Sequence, residues 1–364
     1  MNNRQSMVIL ILLAVVAVAG AWLWIRHTRR DVRYEVVYPH ALQAGDWSPW
    51  LLSDTGHIAG RCVVDSARGL FVLEPDADKP RIMGLEDKSD PNGGPWAPRD
   101  INADGAIVGI QWRKPAQRAF LWTPEEGVVE ITPPGGGASL AYGINNSGCV
   151  VGTAAFADIG VHAFLWDRSS GMKDLGTLGG RRSEALAVND AIEVVGRAET
   201  PEGEWRAFFW DEATGMVPLD TPGTSSTAYS INNTGQVLGA FWENGRSYGF
   251  LWTRLGGVTT LGPVDLGAAG SLVLNDRGQF FVNFWLRGMR WGGPKASRLW
   301  NPGEGYIRLD RAVPRGVGIP FALDINNRGQ VLAVMYDKDF SELGIAVLKP
   351  LDQAVVEEKR KDQP

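Results

Sequence analysis

The chain has 364 residues with a formal charge of −5, and 45 of them are glycine and 15 tryptophan. So much glycine and aromatic residue, without long charge-rich amphipathic stretches, excludes a helical bundle and favours short strands joined by tight turns. The small net charge and the lack of a dense Lys/Arg stripe outside the N-terminal flank exclude a nucleic-acid partner.

After a short flank at residues 1–6, residues 7–25 (MVILILLAVVAVAGAWLWI) run for nineteen residues without a charge. As a helix they would extend about 28 Å at ~1.5 Å per residue, close to the thickness of a bilayer core, which predicts one transmembrane helix. Ala17, Val18 and Ala19 form an A-x-A site, so a cleaved signal sequence is the alternative, although WLWI prolongs the apolar run past that site. The basic linker at 26–33 carries Arg26, Arg29, Arg30 and Arg33, whereas only Arg4 precedes the segment. The positive-inside rule taken literally would leave the rest of the chain in the cytoplasm. The A-x-A site points the other way, and an extracytoplasmic location is the expectation adopted here.

From residue 34 to 350 the chain repeats. A turn-like pentad recurs seven times, as LSDTG at 52–56, INADG at 101–105, INNSG at 144–148, VNDAI at 188–192, INNTG at 231–235, LNDRG at 274–278 and INNRG at 325–329. Their last positions step by 49, 43, 44, 43, 43 and 51 residues. A fixed period near 45 is the signature of a solenoid or a propeller, and four-stranded propeller blades commonly take ~40–45 residues. Asn at the first turn position and Gly at the fourth suit a type I hairpin turn, the Gly taking positive φ. Ile192 stands where the other turns have Gly, so the fourth turn is expected to be altered or longer.

The strand leading into each pentad places large residues at Tyr142, Leu186, Tyr229, Leu272 and Leu323, and small ones at Ala141, Ala185, Ala228, Ser271 and Ala322. Alternate side chains face opposite sides of a strand, so one face is small enough for a neighbouring sheet to approach closely. A second half-repeat reads RAFLW (118–122), HAFLW (162–166), RAFFW (206–210), YGFLW (248–252) and SRLW (297–300), with weaker copies GLFVL (69–73) and GIAVL (344–348). Each strong copy leads into a further run such as GVVEI (127–131) or GMKDL (171–175), making four strands per unit. The last unit lacks a fourth strand and RYEVVY (33–38) lacks a role, so RYEVVY is predicted to complete the last blade and close the ring. The fold class is therefore all-β, a seven-bladed propeller with a charged tail at 351–364 that should not join a blade.

HAFLWD and GMKDLGTLGG, preceded by INNSGCVVGTA, resemble the HAF-repeat family of extracellular repeats. The likeness is specific in the third repeat, good in the second, fourth and fifth, and faded in the rest. It implies export and a propeller-like array, and it implies no reaction and no catalytic residues.

The candidate chemical residues read as structural. Asp100, Asn102 and Asp104 are spaced like the first ligands of a calcium loop, but Gln111 stands where the bidentate Glu belongs, so a plain turn is expected. His162 sits where sister repeats have Arg118, Arg206 and Tyr248, and is expected to be structural; His27, His40 and His57 form no metal motif. FWLRGMRW (284–291) interleaves aromatics with Arg287 and Arg290, as an interface would, though blade packing is the simpler reading. Trp47 and Trp96 share one repeat position with Ser139, Ser183 and Ser226, which could make an axial lining uneven. Cys62 and Cys149 lie two repeats apart, in no CxxC or Cys/His spacing, and should be free thiols. No catalytic, cofactor-binding or metal-binding residue is assigned. The function expected is non-catalytic binding or scaffolding by a monomer tethered at the cell surface, with a glycan or protein as ligand. The alternative is a propeller-type enzyme acting on carbohydrate or peptide, marked by acidic or His residues from several repeats converging at one mouth of the channel.

Overall fold

The computed structural model describes residues 33–43, 46–84, 94–157, 159–264, 272–285, 295–337, 339 and 341–352. The predicted membrane segment at 7–25, most of 284–291 and the tail from 353 lie outside them. Among the described residues no helix is long and apolar enough to cross a membrane.

Seven sheets are arranged in chain order. Blade 1 comprises β2 (Asp46–Leu52), β3 (Ile58–Val64), β4 (Ala67–Leu73) and β5 (Arg81–Met83). Blade 2 is β6 (Trp96–Ile101) to β9 (Gly127–Ile131), blade 3 is β10 (Ser139–Ile144) to β13 (Gly171–Asp174), and blade 4 is β14 (Ser183–Val188) to β17 (Gly215–Pro218). Blade 5 runs from β18 (Ser225–Ile231) to β21 (Gly257–Pro263). Blade 6 has three described strands, β22 (Phe280–Trp285), β23 (Lys295–Asn301) and β24 (Gly305–Arg308), with a single Leu274–Phe280 bridge on the inner side. Blade 7 is β25 (Ile319–Ile325), β26 (Val331–Tyr336) and β27 (Glu342–Pro350), completed by β1 (Tyr34–Val37), which pairs antiparallel with β27 from Tyr34 opposite Pro350 to Val37 opposite Val347. The N-terminal strand therefore closes the ring as the sequence predicts. A short helix, α1 (Leu309–Ala312), which the repeat pattern does not announce, fills the joint between blades 6 and 7 with buried Leu309 and Ala312.

The core lies between blades. Val108, Ala119 and Leu121 of blade 2 pack on Ala141, Val150 and Phe164 of blade 3, and Leu52, Phe71 and Leu73 of blade 1 pack on Leu332 and Val347 of blade 7. Ala141, Ala185, Ala228 and Ala322 are fully buried, confirming that the small face of the inner strand meets the neighbouring sheet. The Phe of each HAFLW-type strand (Phe71, Phe120, Phe164, Phe208 and Phe250) is also buried, opposite a glycine of the second strand: Gly60, Gly109, Gly152, Gly196 and Gly239. Cys62 and Cys149 are both buried and free, in blades 1 and 3.

Two expectations are corrected. The fourth turn is neither altered nor lengthened: Ile192 itself adopts φ 60°, and its N–H donates to the Asn189 carbonyl at 3.1 Å as Gly148 N–H does to Asn145. The turn geometry is over-determined by its hydrogen bonds, so the strain falls on the side chain. Ile192→Gly should therefore stabilise the protein by about 1 kcal/mol, read as a raised denaturant midpoint; an unchanged or lower midpoint would show that the turn is unstrained. The second correction concerns Ser139, Ser183 and Ser226, which are buried staples and not axial lining. Each hydroxyl accepts a backbone N–H from an Ala of the preceding blade (Ala119, Ala163 and Ala207), tying one blade to the next. Trp47 and Trp96 instead pack edge-on against Phe71 and Phe120, each with ring centroids 5.0 Å apart.

Candidate functional site

All seven blades contribute to both ends of the axis, and the two ends have opposite chemistry. At one end the pentad turns meet around a small cavity of about 160 Å3. The Asn at the second position of six pentads does two jobs there. Its Oδ1 accepts two backbone N–H groups of its own turn, as Asn145 does from Ser147 and Cys149, and its Nδ2 donates to the carbonyl of the corresponding residue in the next blade. Asn102, Asn145, Asn189, Asn232, Asn275 and Asn326 make this crossing in turn at 2.9–3.3 Å, the last reaching Ser53 of blade 1. Ser53 is too short to continue it, and the Thr55 hydroxyl bonds the Ala103 carbonyl instead.

The third pentad position forms an outer ring in which carboxylates and amides alternate: Asp54, Ala103, Asn146, Asp190, Asn233, Asp276 and Asn327. Asp190 Oδ2 accepts from Asn146 and Asn233 at 2.9 and 3.0 Å, and Asp276 Oδ2 accepts from Asn233 and Asn327. Seven is odd, so strict alternation of donor and acceptor side chains must fail once. It fails at Ala103, which carries neither.

Beneath the turns lie two more carboxyls, Asp324 buried and Asp100 half-buried. Asp100 accepts the Ile101 and Ile144 N–H groups, and Asp324 accepts those of Ile325 and Leu52, each bridging to the next blade. Burial raises Asp100 to about 7 and Asp324 to about 8, against the opposing pull of those N–H donors. Asp324, only 9% exposed, is the more secluded. A carboxyl raised on folding stabilises fully below its unfolded value near 4, and that contribution disappears as pH rises through the folded value. Stability, already falling above pH 4, should therefore fall further between pH 6 and 8 and level off beyond. Asp324→Asn should flatten that slope while lowering the midpoint at pH 6, because one N–H loses its acceptor. Denaturant titrations at the two pH values check both, and an equal slope in the variant would refute the assignment.

The calcium-like set does not assemble. Asn102 Oδ1 is occupied by the Asp104 and Ala106 N–H groups and both Asp100 oxygens by backbone donors, so these residues close a turn. Among the described residues no three His, Cys, Asp or Glu side chains are grouped to hold a metal. His162 is buried and pairs with Asp174 through Nδ1 at 3.0 Å, in the place where Arg118 pairs with Glu130, which makes it a blade-internal contact.

The other end of the axis opens into a cavity of about 720 Å3. Its lining is set by a feature absent from the sequence reading. In six inner strands the pairing register skips one residue, and the skipped residues are Trp50, Arg99, Tyr142, Leu186, Tyr229 and Leu323. All six line the cavity. A bulge re-aims one side chain out of the ladder, so the same backbone device presents a different side chain from each blade. Arg61 lies 5.2 Å from the Trp50 ring centroid and Arg99 lies 6.0 Å from that of Tyr142, while Arg197 pairs with Glu184 at 2.8 Å. Tyr142 and Tyr229 are held neutral, their phenols raised chiefly by burial.

No family model and no curated protein matches the chain, so the HAF-repeat likeness rests on its motifs alone. Solved structures do match. The β-propeller domain of the Trilobed protease from Pyrococcus furiosus superposes with a TM-score of 0.55 at 12% identity over 86% of this chain and 97% of that one. The shared architecture is the β-propeller. Virginiamycin B lyase from Staphylococcus aureus gives 0.53 at 13% identity over 88% and 99%. The chain spans 55% of TolB from Acinetobacter baumannii, at a TM-score of 0.43 and 14% identity over 64% of its own length. The Pyrococcus domain is described as having an open velcro topology, whereas here β1 seals the last blade.

Proposed function

We propose that this protein is a non-catalytic binding propeller that takes its ligand at the bulge-lined end of the axis and is held outside the cytoplasm by residues 7–25, acting as a monomer. One observation carries the reading: the same backbone bulge in six blades aims side chains of different size and polarity, Trp50, Arg99, Tyr142, Leu186, Tyr229 and Leu323, into the larger cavity. The recurring turn residues hold the ring together and leave the cavity lining free to vary, which is how a scaffold positions a binding surface. Acids from several blades do converge at the opposite end, the feature that would favour an enzyme. Their oxygens, however, accept the amides and N–H groups that tie adjacent blades, which supports a closing role. Glu184, the carboxylate in the larger cavity, is engaged by Arg197.

The full chain in detergent, incubated with panels of cell-surface glycans and peptides, should capture a ligand and return it unchanged. Turnover that disappears on single substitution of Asp54, Asp190, Asp276 or Glu184 would establish the enzyme alternative. A reporter fused after Arg33 that is active only in the cytoplasm would overturn the location.

A further inference from the structure

The axis is electrically polarised, and the sign at each end selects what can enter. The turn end carries Asp54, Asp190 and Asp276 in one ring. The larger cavity carries three arginines, Arg61, Arg99 and Arg197, against one glutamate, a net of two positive charges among its described lining residues in a chain whose total is −5. A recess of one sign between low-dielectric walls concentrates ions of the opposite sign. Beside those charges stand flat faces, Trp50, Tyr142 and Tyr229. Arg99 is exposed, lies against the Tyr142 ring, and among the described residues forms no ion pair. Guanidinium groups match planar carboxylates with paired donors, and aromatic walls take a ring laid against them.

We infer that the cavity binds a small ring-bodied carboxylate, its acid group on Arg99 with Arg61 and Arg197 near by, and its ring against Tyr142 and Trp50. This rests on the binding reading above and names its ligand class. The volume of about 720 Å3 admits one or two rings and not a folded partner. A carboxylate on a sugar ring and one on an aromatic ring share this chemistry, and the probes separate them.

The experiment is calorimetry on the full chain in detergent with digalacturonate and indole-3-acetate, each beside its methyl ester, with inorganic phosphate as the bare anion. One or both acids should bind, the esters and phosphate at least tenfold more weakly, and binding should weaken between 50 and 500 mM salt. The acid that binds more tightly identifies the ring type. Arg99→Gln should weaken the acid by about tenfold to a hundredfold. Arg81→Gln, the same charge lost from the outer strand of blade 1, should leave it unchanged, and both variants should keep the parent's melting temperature. Esters binding as well as acids, phosphate binding as tightly as either acid, equal effects of the two substitutions, or no binding by either acid would overturn the inference. Chromatography of the recovered probe answers separately for the non-catalytic reading: an acid that binds through Arg99 but is converted would sink that reading and leave the ligand class standing.

Discussion

Gly152→Val should lower the stability of the protein by about 3 kcal/mol or more, the upper range of overpacking in a filled core. A Cβ on Gly152 would stand 1.9 Å from the Leu140 carbonyl oxygen and 2.8 Å from the Phe164 ring. Neither neighbour has room to retreat, because Phe164 is fully buried and the Leu140 carbonyl belongs to the strand that bulges at Tyr142. Blade 7 supplies the internal comparison: there Ala333 occupies the glycine position and faces Ala346 in place of Phe. A side chain is tolerated where the opposing residue is small. Gly152→Ala and Phe164→Ala should accordingly be sub-additive, since removing the ring relieves one of the two collisions. Guanidinium unfolding of the two single variants and the double variant reads this directly. A Gly152→Val protein with the parent's midpoint would mean that the inner strand does not approach so closely, and the bulge that shapes the cavity would go with it.

What the sequence makes legible is what is local or periodic. The pentads declare their turns because Asn and Gly at fixed spacing encode hairpin geometry, and RYEVVY finds its place because the last unit is one strand short. The bulge stays hidden for a physical reason. Ala141, Tyr142, Gly143 and Ile144 alternate small and large as an unbroken strand would, so a one-residue skip leaves no mark on the pattern. The Asn ring is half visible. A type I turn accepts Asp, Ser or Asn at its first position, yet six of the seven pentads carry Asn there. That excess is a signal, because of the three only Asn also offers an amide donor, and the amide is the half that crosses to the next blade. Which residues reach the axis depends on how blades are set against one another, and no spacing along one strand reports it.

Removing residues 33–37 should have the largest effect of all, because among the described residues β1 alone connects the N-terminal end of the chain to blade 7 through a ladder. Four residue pairs, Tyr34–Pro350 to Val37–Val347, would be lost, and Tyr34, 4% exposed, would leave the core it shares with Ala346 and Leu348. The nine-residue β27 would then present an open edge, and an unpaired apolar edge is a template for another chain. What would still join blades 7 and 1 is the packing of Leu332 and Val347 on Leu52 and Phe71, with the bonds of Asn326, Asp324 and Asn327 to Ser53, Leu52 and Asp54. Without the ladder, those contacts are what holds the seam. The expected results are a melting transition several degrees lower, loss of a single cooperative step, and concentration-dependent association in sedimentation. A peptide RYEVVY added in trans should reverse the association by occupying the edge as an added strand. A shortened chain that stays monodisperse with the parent's transition would show that the blade interfaces suffice and that β1 only decorates a ring already closed.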